Sequence, residues 1–229
     1  MYSKQQVMEM VWMHSRFYHA CLWQCEELYR EGKGFASITV LFNCLENIVK
    51  SAINDYISRT VDIYRKIYLA GIITECEHVF LNDGPYCLRN VRNLYAHSNV
   101  ASICVVQQDA TSREIYSFLS EDETSLLIYE ELSDIVYNLI LKILVVNFIE
   151  EVRDKINILL DDEIQKVSLK FKILSSEEIL KIKGFPQDYF SKCGDVPEHT
   201  KIRLLDNAPD LGVLGYILSN AKNIINDTK

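Results

Sequence analysis

The chain has 229 residues, 48% of them hydrophobic, with only 8 glycines and 4 prolines. That length buries a real core, and so few turn residues argue for long helices and against a turn-rich β architecture. A formal net charge of −8 excludes tight, nonspecific nucleic-acid binding, which needs a broad basic surface. The charge is uneven, at about −1 over residues 1–112, about −9 over 113–163 and about +2 over 164–229. Seven cysteines, an odd number without a CxxC pair, fit reduced, buried thiols in a cytoplasmic protein. The N-terminus shows no secretory pattern of basic, apolar and small residues. Cys21 and Cys25 lie one helical turn apart near His14 and His19, and a metal there needs ligands from elsewhere. No metal or other cofactor is expected.

Apolar and aromatic residues recur at helical spacing through Val7, Met10, Phe17, Leu22, Cys25 and Leu28, predicting one helix from about Ser3 to Arg30. Gly32-Lys33-Gly34 ends it. A second helix is expected from about Phe35 to Arg59, with Ile38, Leu41, Leu45, Ile48, Ala52 and Tyr56 on its buried stripe. Glu46 falls among these apolar neighbours, and a carboxylate there either takes a cationic partner or points outward. A third helical stretch is read over about Asp62 to Phe80, closed by the turn Asn82-Asp83-Gly84-Pro85. The following helix, from about Tyr86 to Ser98, carries Arg92, Asn93 and His97. Arginine is the cation suited to clamping a phosphate and histidine the side chain suited to general acid–base work, so the pairing of Arg92 with His97 points to phosphate chemistry. At five residues' spacing the two diverge by roughly 140° around a helix, so the length of arginine is needed to bring both heads to one groove.

Beyond this helix, Ser102 to Val106, Glu114 to Leu119 and Ser125 to Ile128 are short β-prone runs between polar breaks. They predict a two- or three-stranded hairpin inserted before the last bundle helix. That helix is expected from Tyr129 to about Leu160. Its centre, Ile135 to Ile149, is apolar nearly all round but too short and interrupted to cross a membrane. It is read as buried in the bundle or shared with a second subunit. The character changes near Asp161, giving domains 1–160 and 161–229. In the second, Ser175 or Ser176 caps a short helix with carboxylates in its first turn, and Gly184 stops it before Pro186.

Arg92-Asn93-Leu94-Tyr95-Ala96-His97 resembles the R-x(4–6)-H signature of the HEPN superfamily, whose arginine is typically followed by Asn, Asp or His. The resemblance implies a mainly α fold: a HEPN-like helical bundle with a small β-hairpin insertion and a short α-rich C-terminal appendage. It implies a metal-independent endoribonuclease that cuts single-stranded RNA to 2′,3′-cyclic phosphate ends, as a toxin or host-defence effector. Arg92, His97 and Asn93 form the implied catalytic set. Glu46 and Arg89 support it, Glu46 facing either Arg92 or Arg89. A homodimer is part of the expectation, because one chain offers one such histidine and a two-fold axis brings two Arg92 and two His97 to one groove. The apolar last helix is the candidate contact. Tyr95 is read as core, and Asn99 stands where some HEPN toxins carry a silencing tyrosine, so that control is not expected. The alternative is a non-catalytic bundle that binds RNA, a nucleotide or a protein.

Residues 172–218 weakly resemble the last conserved segments of cytosine-5 DNA methyltransferases, through Gly184-Phe185-Pro186, Arg203 to Ala208 and Gly212 to Leu218. Ser176 stands where that family has Pro, and Asp206 where it has Gly. No Pro-Cys nucleophile or glycine-rich donor loop precedes them, so autonomous methyl transfer is excluded. What the resemblance implies is an accessory or regulatory partner of such an enzyme; an antitoxin is the partner implied by the other reading. No Gly-x-Ser-x-Gly elbow, P-loop or His-Glu-x-x-His string occurs.

Overall fold

The computed structural model describes residues 1–84, 86–108, 112–145, 159–186, 188–190 and 196–206. The chain forms two compact units, residues 1–98 with 121–170 and residues 99–120 with 171–229.

The first unit is a helical bundle whose breaks were only partly expected. The predicted first helix is two, α1 (Lys4–His14) and α2 (Arg16–Arg30). Ser15 separates them in extended backbone (φ −152°, ψ 115°), donating its N–H to Val11 O and accepting at its Oγ from Tyr18 N. One serine thus closes one helix and caps the next. α3 (Gly34–Ala52) stops earlier than expected because Asn54 takes a left-handed φ of 51°. Tyr56, placed on the buried stripe by its spacing, is therefore 61% exposed. The third stretch is also two helices, α4 (Thr60–Leu69) and α5 (Glu75–Asn82). Gly71 turns the chain at φ 69°, and a capping box between Thr74 and Glu77 restarts it. α6 (Leu88–His97) carries the motif.

α7 (Asp122–Val145) takes in residues 125–128, which were expected as a strand. Asp122 and Glu123 in its first turn favour a helix start. Ser125 is small and buried under Tyr95, whose hydroxyl lies 3.0 Å from Ser125 Oγ. The expected continuation to residue 160 includes 146–158, outside the described residues. Every residue from Ile135 to Leu144 is buried within the chain itself. Over these residues the burial half of the expectation holds; the rest of the expected centre, to Ile149, lies outside the described residues. Its polar interruptions are satisfied internally. Asn138 exchanges hydrogen bonds with the backbone of Tyr2, and Lys142 Nζ meets Glu77 Oε2 at 2.5 Å. No described helix is long and apolar enough to cross a membrane.

Gly34 was read as part of a helix stop. It is instead the first residue of α3, pressed against α7: a Cβ there would stand 2.1 Å from Asp122 O and 2.7 Å from Leu126 N. Both are backbone atoms and do not yield. Gly34→Ala is therefore expected to lower stability by about 1–3 kcal/mol, against the roughly 1 kcal/mol that alanine ordinarily gains over glycine within a helix. Urea denaturation checks this; an unchanged or higher midpoint would show that the helices separate freely.

The second unit holds a three-stranded antiparallel sheet of order β2-β1-β3. β1 (Ile103–Gln108) pairs with β2 (Glu114–Phe118) in the expected hairpin, Val106 opposite Tyr116. The third strand is β3 (Phe171–Ile173), on the other edge of β1 with Cys104 opposite Lys172. α8 (Ser176–Ile182) starts at a Ser175–Glu178 capping box, and α9 (Glu198–Asp206) meets it where Ser176 N and Oγ donate to Glu198 at 2.6 and 2.9 Å. Cys104, Phe118, Leu174, Ile179, Leu180 and Leu205 share one core. The hairpin, placed with the bundle by its sequence position, thus packs with the C-terminal residues. The run from Gly212 to Leu218 lies outside the described residues.

Candidate functional site

Within the bundle, α3, α4 and α6 surround a cleft of about 280 Å³. Its walls follow from the helix patterns. On α6, Leu88, Val91 and Tyr95 face the core, which sets Arg92 on the flank, half-buried and within reach of α3. On α3, Leu45 and Ile48 are buried, and Glu46 between them emerges at the cleft. α4 contributes its first residues and the buried ring of Tyr64.

Glu46 is the hub. Its Oε2 accepts from Arg92 Nη2 at 2.8 Å, and its Oε1 accepts from Thr60 Oγ1 at 2.9 Å and Lys50 Nζ at 2.7 Å. Arg92 Nη1 also donates to Asn93 Oδ1 at 3.2 Å. The guanidinium is thus held at both terminal nitrogens, in a fork that only arginine can make. Burial opposes charge on Glu46, but the bonds from Lys50 and Thr60 and the charge of Arg92 outweigh it and hold the carboxyl below its ordinary value. Burial, aided by the Glu46 charge, pushes the Tyr64 hydroxyl well up, so it stays protonated.

A carboxyl lowered by folding contributes stability above its unfolded pKa and loses it as pH falls through the folded value. Glu46→Gln is therefore expected to melt below the wild type at neutral pH. The gap should begin to narrow as the pH falls below the ordinary value of 4.5 and close only below the lowered folded value, where the wild-type carboxyl in the folded protein also becomes neutral. Melting temperatures across that range check it, and a gap that persists in acid would contradict the charge-based account.

The remaining expected residues divide. Arg89 lies on the cleft wall but turns to the end of α5, donating Nε to Asn82 Oδ1 at 3.0 Å and Nη2 to Asn82 O at 3.1 Å. It fixes α6 against α5 and does not face Glu46. His97, the last residue of α6, is exposed and outside the cleft lining. The fold therefore brings Glu46, Arg92 and Asn93 together, places Arg89 beside them, and leaves His97 on open surface. Tyr95 is core, its ring 5.3 Å from Phe35.

Sequence reading missed Lys50, Arg59, Thr60 and Tyr64. Lys50 was legible as the i+4 partner of Glu46. Arg59 and Thr60 were hidden because one helix was drawn through Asn54. Among the described residues no three His, Cys, Asp or Glu side chains gather as a metal site. Cys25, beside Cys21, has its thiol pushed up to about 12 by burial, which makes it a poor nucleophile or ligand. Compared with family models, curated proteins and solved structures, the chain matches none.

Proposed function

We propose that this chain is a metal-independent endoribonuclease of HEPN type, acting as a homodimer in the cytoplasm as a toxin or host-defence effector. The observation that carries the reading is the rigid fork on Arg92, held by Glu46 and Asn93, with His97 exposed at the end of the same helix. The reaction is attack of an RNA 2′-oxygen on the adjacent phosphorus. A base removes the 2′ proton, the new O–P bond closes a 2′,3′-cyclic phosphate, and the bond to the 5′-oxygen breaks as an acid protonates it. Arg92 stabilises the charge that builds on the phosphorane oxygens. His97 serves as base or acid, and the His97 of a second copy supplies the complementary role. Asn93 positions Arg92, and Glu46 holds it from the opposite side.

The test is incubation of single-stranded RNA with the protein in EDTA, with end-group analysis of the products. Cleavage to 2′,3′-cyclic phosphate ends is expected; activity only with added metal would sink the reading. A second reading draws on the position of His97 outside the Arg92 cleft: a bundle that binds RNA, a nucleotide or a protein without cutting. Arg92→Ala would then weaken binding, with no cleavage by any form.

A further inference from the structure

The outer face of α2 is not that of a solvated helix. Leu22 and Cys25 are buried and turn inward, which leaves Arg16, Ala20, Trp23, Glu27 and Arg30 facing out, at alternating steps of four and three residues. Such steps hold them within about 80° of arc, as one seam along the helix. A surface helix ordinarily keeps this face polar. Here Trp23, at the middle of the seam, is 49% exposed, and Phe17 on its flank is 66% exposed.

The seam also complements itself. Arg16 and Glu27 are symmetric about the point between Cys21 and Leu22, and so are Ala20 and Trp23. If a second α2 is laid antiparallel about a two-fold axis through that point, each Arg16 meets the other copy's Glu27, and each Trp23 meets the other copy's Ala20. The charge pairs fall about 8 Å to either side of the axis, from the rise of 1.5 Å per residue. Both charges are open to such a pairing. Arg16 stands over the Trp12 ring at 5.2 Å and has no carboxylate partner among the described residues. Glu27 takes Arg30 on Oε1 at 2.6 Å, with both side chains about half exposed, which leaves Oε2 for a second cation. An unrelated partner has no need of this symmetry, whereas a second copy requires it.

We infer that the outer face of α2 is a contact between copies of this chain, formed antiparallel about a two-fold axis between Cys21 and Leu22. α2 carries neither Arg92 nor His97 and contributes no residue to the Arg92 cleft. This contact is therefore a different one from the groove that cleavage by two His97 requires, and it does not rest on the nuclease reading. Where both contacts form, more than two copies assemble.

Sedimentation velocity on the full chain, with circular dichroism on each variant, tests it. Wild type should self-associate at micromolar concentration. Arg16→Glu and Glu27→Arg should each weaken the step through α2 about tenfold or more, because the symmetry breaks each pair twice and sets like charges together. Both substitutions keep the helix: an acid suits its first turn and a base its last. The double variant R16E/E27R reverses both charges and should restore association. Ala20→Arg, at an exposed position where the other copy's Trp23 must fit, should abolish the step with an unchanged spectrum. A wild type that stays monomeric throughout overturns the inference, as does a double variant that associates no better than its parents. Equal association by wild type and all folded variants also overturns it, and leaves the homodimer of the nuclease reading to another surface. The expected pattern in a protein that never cuts RNA keeps the α2 contact and removes the nuclease reading alone.

Discussion

Exchanging Arg92 for lysine is expected to reduce metal-free RNA cleavage about as far as exchanging it for alanine, by roughly 10²–10⁴-fold. A lysine would keep the charge, so on charge alone the two variants should differ. The geometry says otherwise. Arg92 uses Nη1 on Asn93 and Nη2 on Glu46, and the planar fork would let it keep both bonds while turning its remaining N–H groups to the phosphate of the proposed substrate. A single ammonium drawn to the Glu46 carboxylate, already bound by Lys50 at 2.7 Å, would be spent there. His97→Ala should lose cleavage over the same range with no loss of stability, since His97 is exposed. Single-turnover rates with circular dichroism on each variant check both. A lysine variant that retains most of the activity would show that Arg92 acts as a point charge.

Lys142→Ala is expected to destabilise the bundle by about 3–5 kcal/mol. Lys142 and Glu77 are 1% and 0% exposed and meet at 2.5 Å. Removing the lysine strands a buried carboxylate whose other oxygen, Glu77 Oε1, already lacks a hydrogen-bond partner. Burial pushes the Glu77 carboxyl up even with Lys142 opposing it. A carboxyl raised by folding costs stability as pH rises from its unfolded to its folded value. The variant should therefore recover part of its loss as the pH falls toward 4.5, where protonation removes the stranded charge. Replacing both residues, as Glu77→Leu with Lys142→Met, should cost less than Lys142→Ala alone. Urea unfolding at two pH values measures all three. A loss below 1 kcal/mol for Lys142→Ala would mean that water reaches the pair.

The apolar stripe of α3 and the apolar centre of α7 were legible because their sequence pattern and their burial have the same cause. The breaks were less so. Ser15 ends α1 by a change of its own backbone, and Asn54 ends α3 by entering the left-handed region, neither of which interrupts the apolar spacing around it. The Thr74-x-x-Glu77 capping box was present as a pattern, but it was overrun by a continuous reading from Asp62 to Phe80. Residues 125–128 look like a strand in isolation; the acids at 122 and 123 and the contact with Gly34 make them helix. β3 has three residues and exists only because β1 offers an edge, which no local pattern announces. In the site, Glu46 was legible as a carboxylate in want of a cation, whereas the choice of Arg92 over Arg89 depended on Asn82 taking Arg89 at the end of α5.

Whether one chain carries half of an RNA-cutting site is read from a mixing series. Wild type is replaced stepwise by His97→Ala at constant total protein and allowed to exchange subunits. The initial rate of single-stranded RNA cleavage is then read in EDTA. If two His97 side chains act across one groove, mixed dimers are inactive and the rate falls as the square of the wild-type fraction. A rate that falls in simple proportion to that fraction, or pure wild type that cuts nothing without metal, would contradict it.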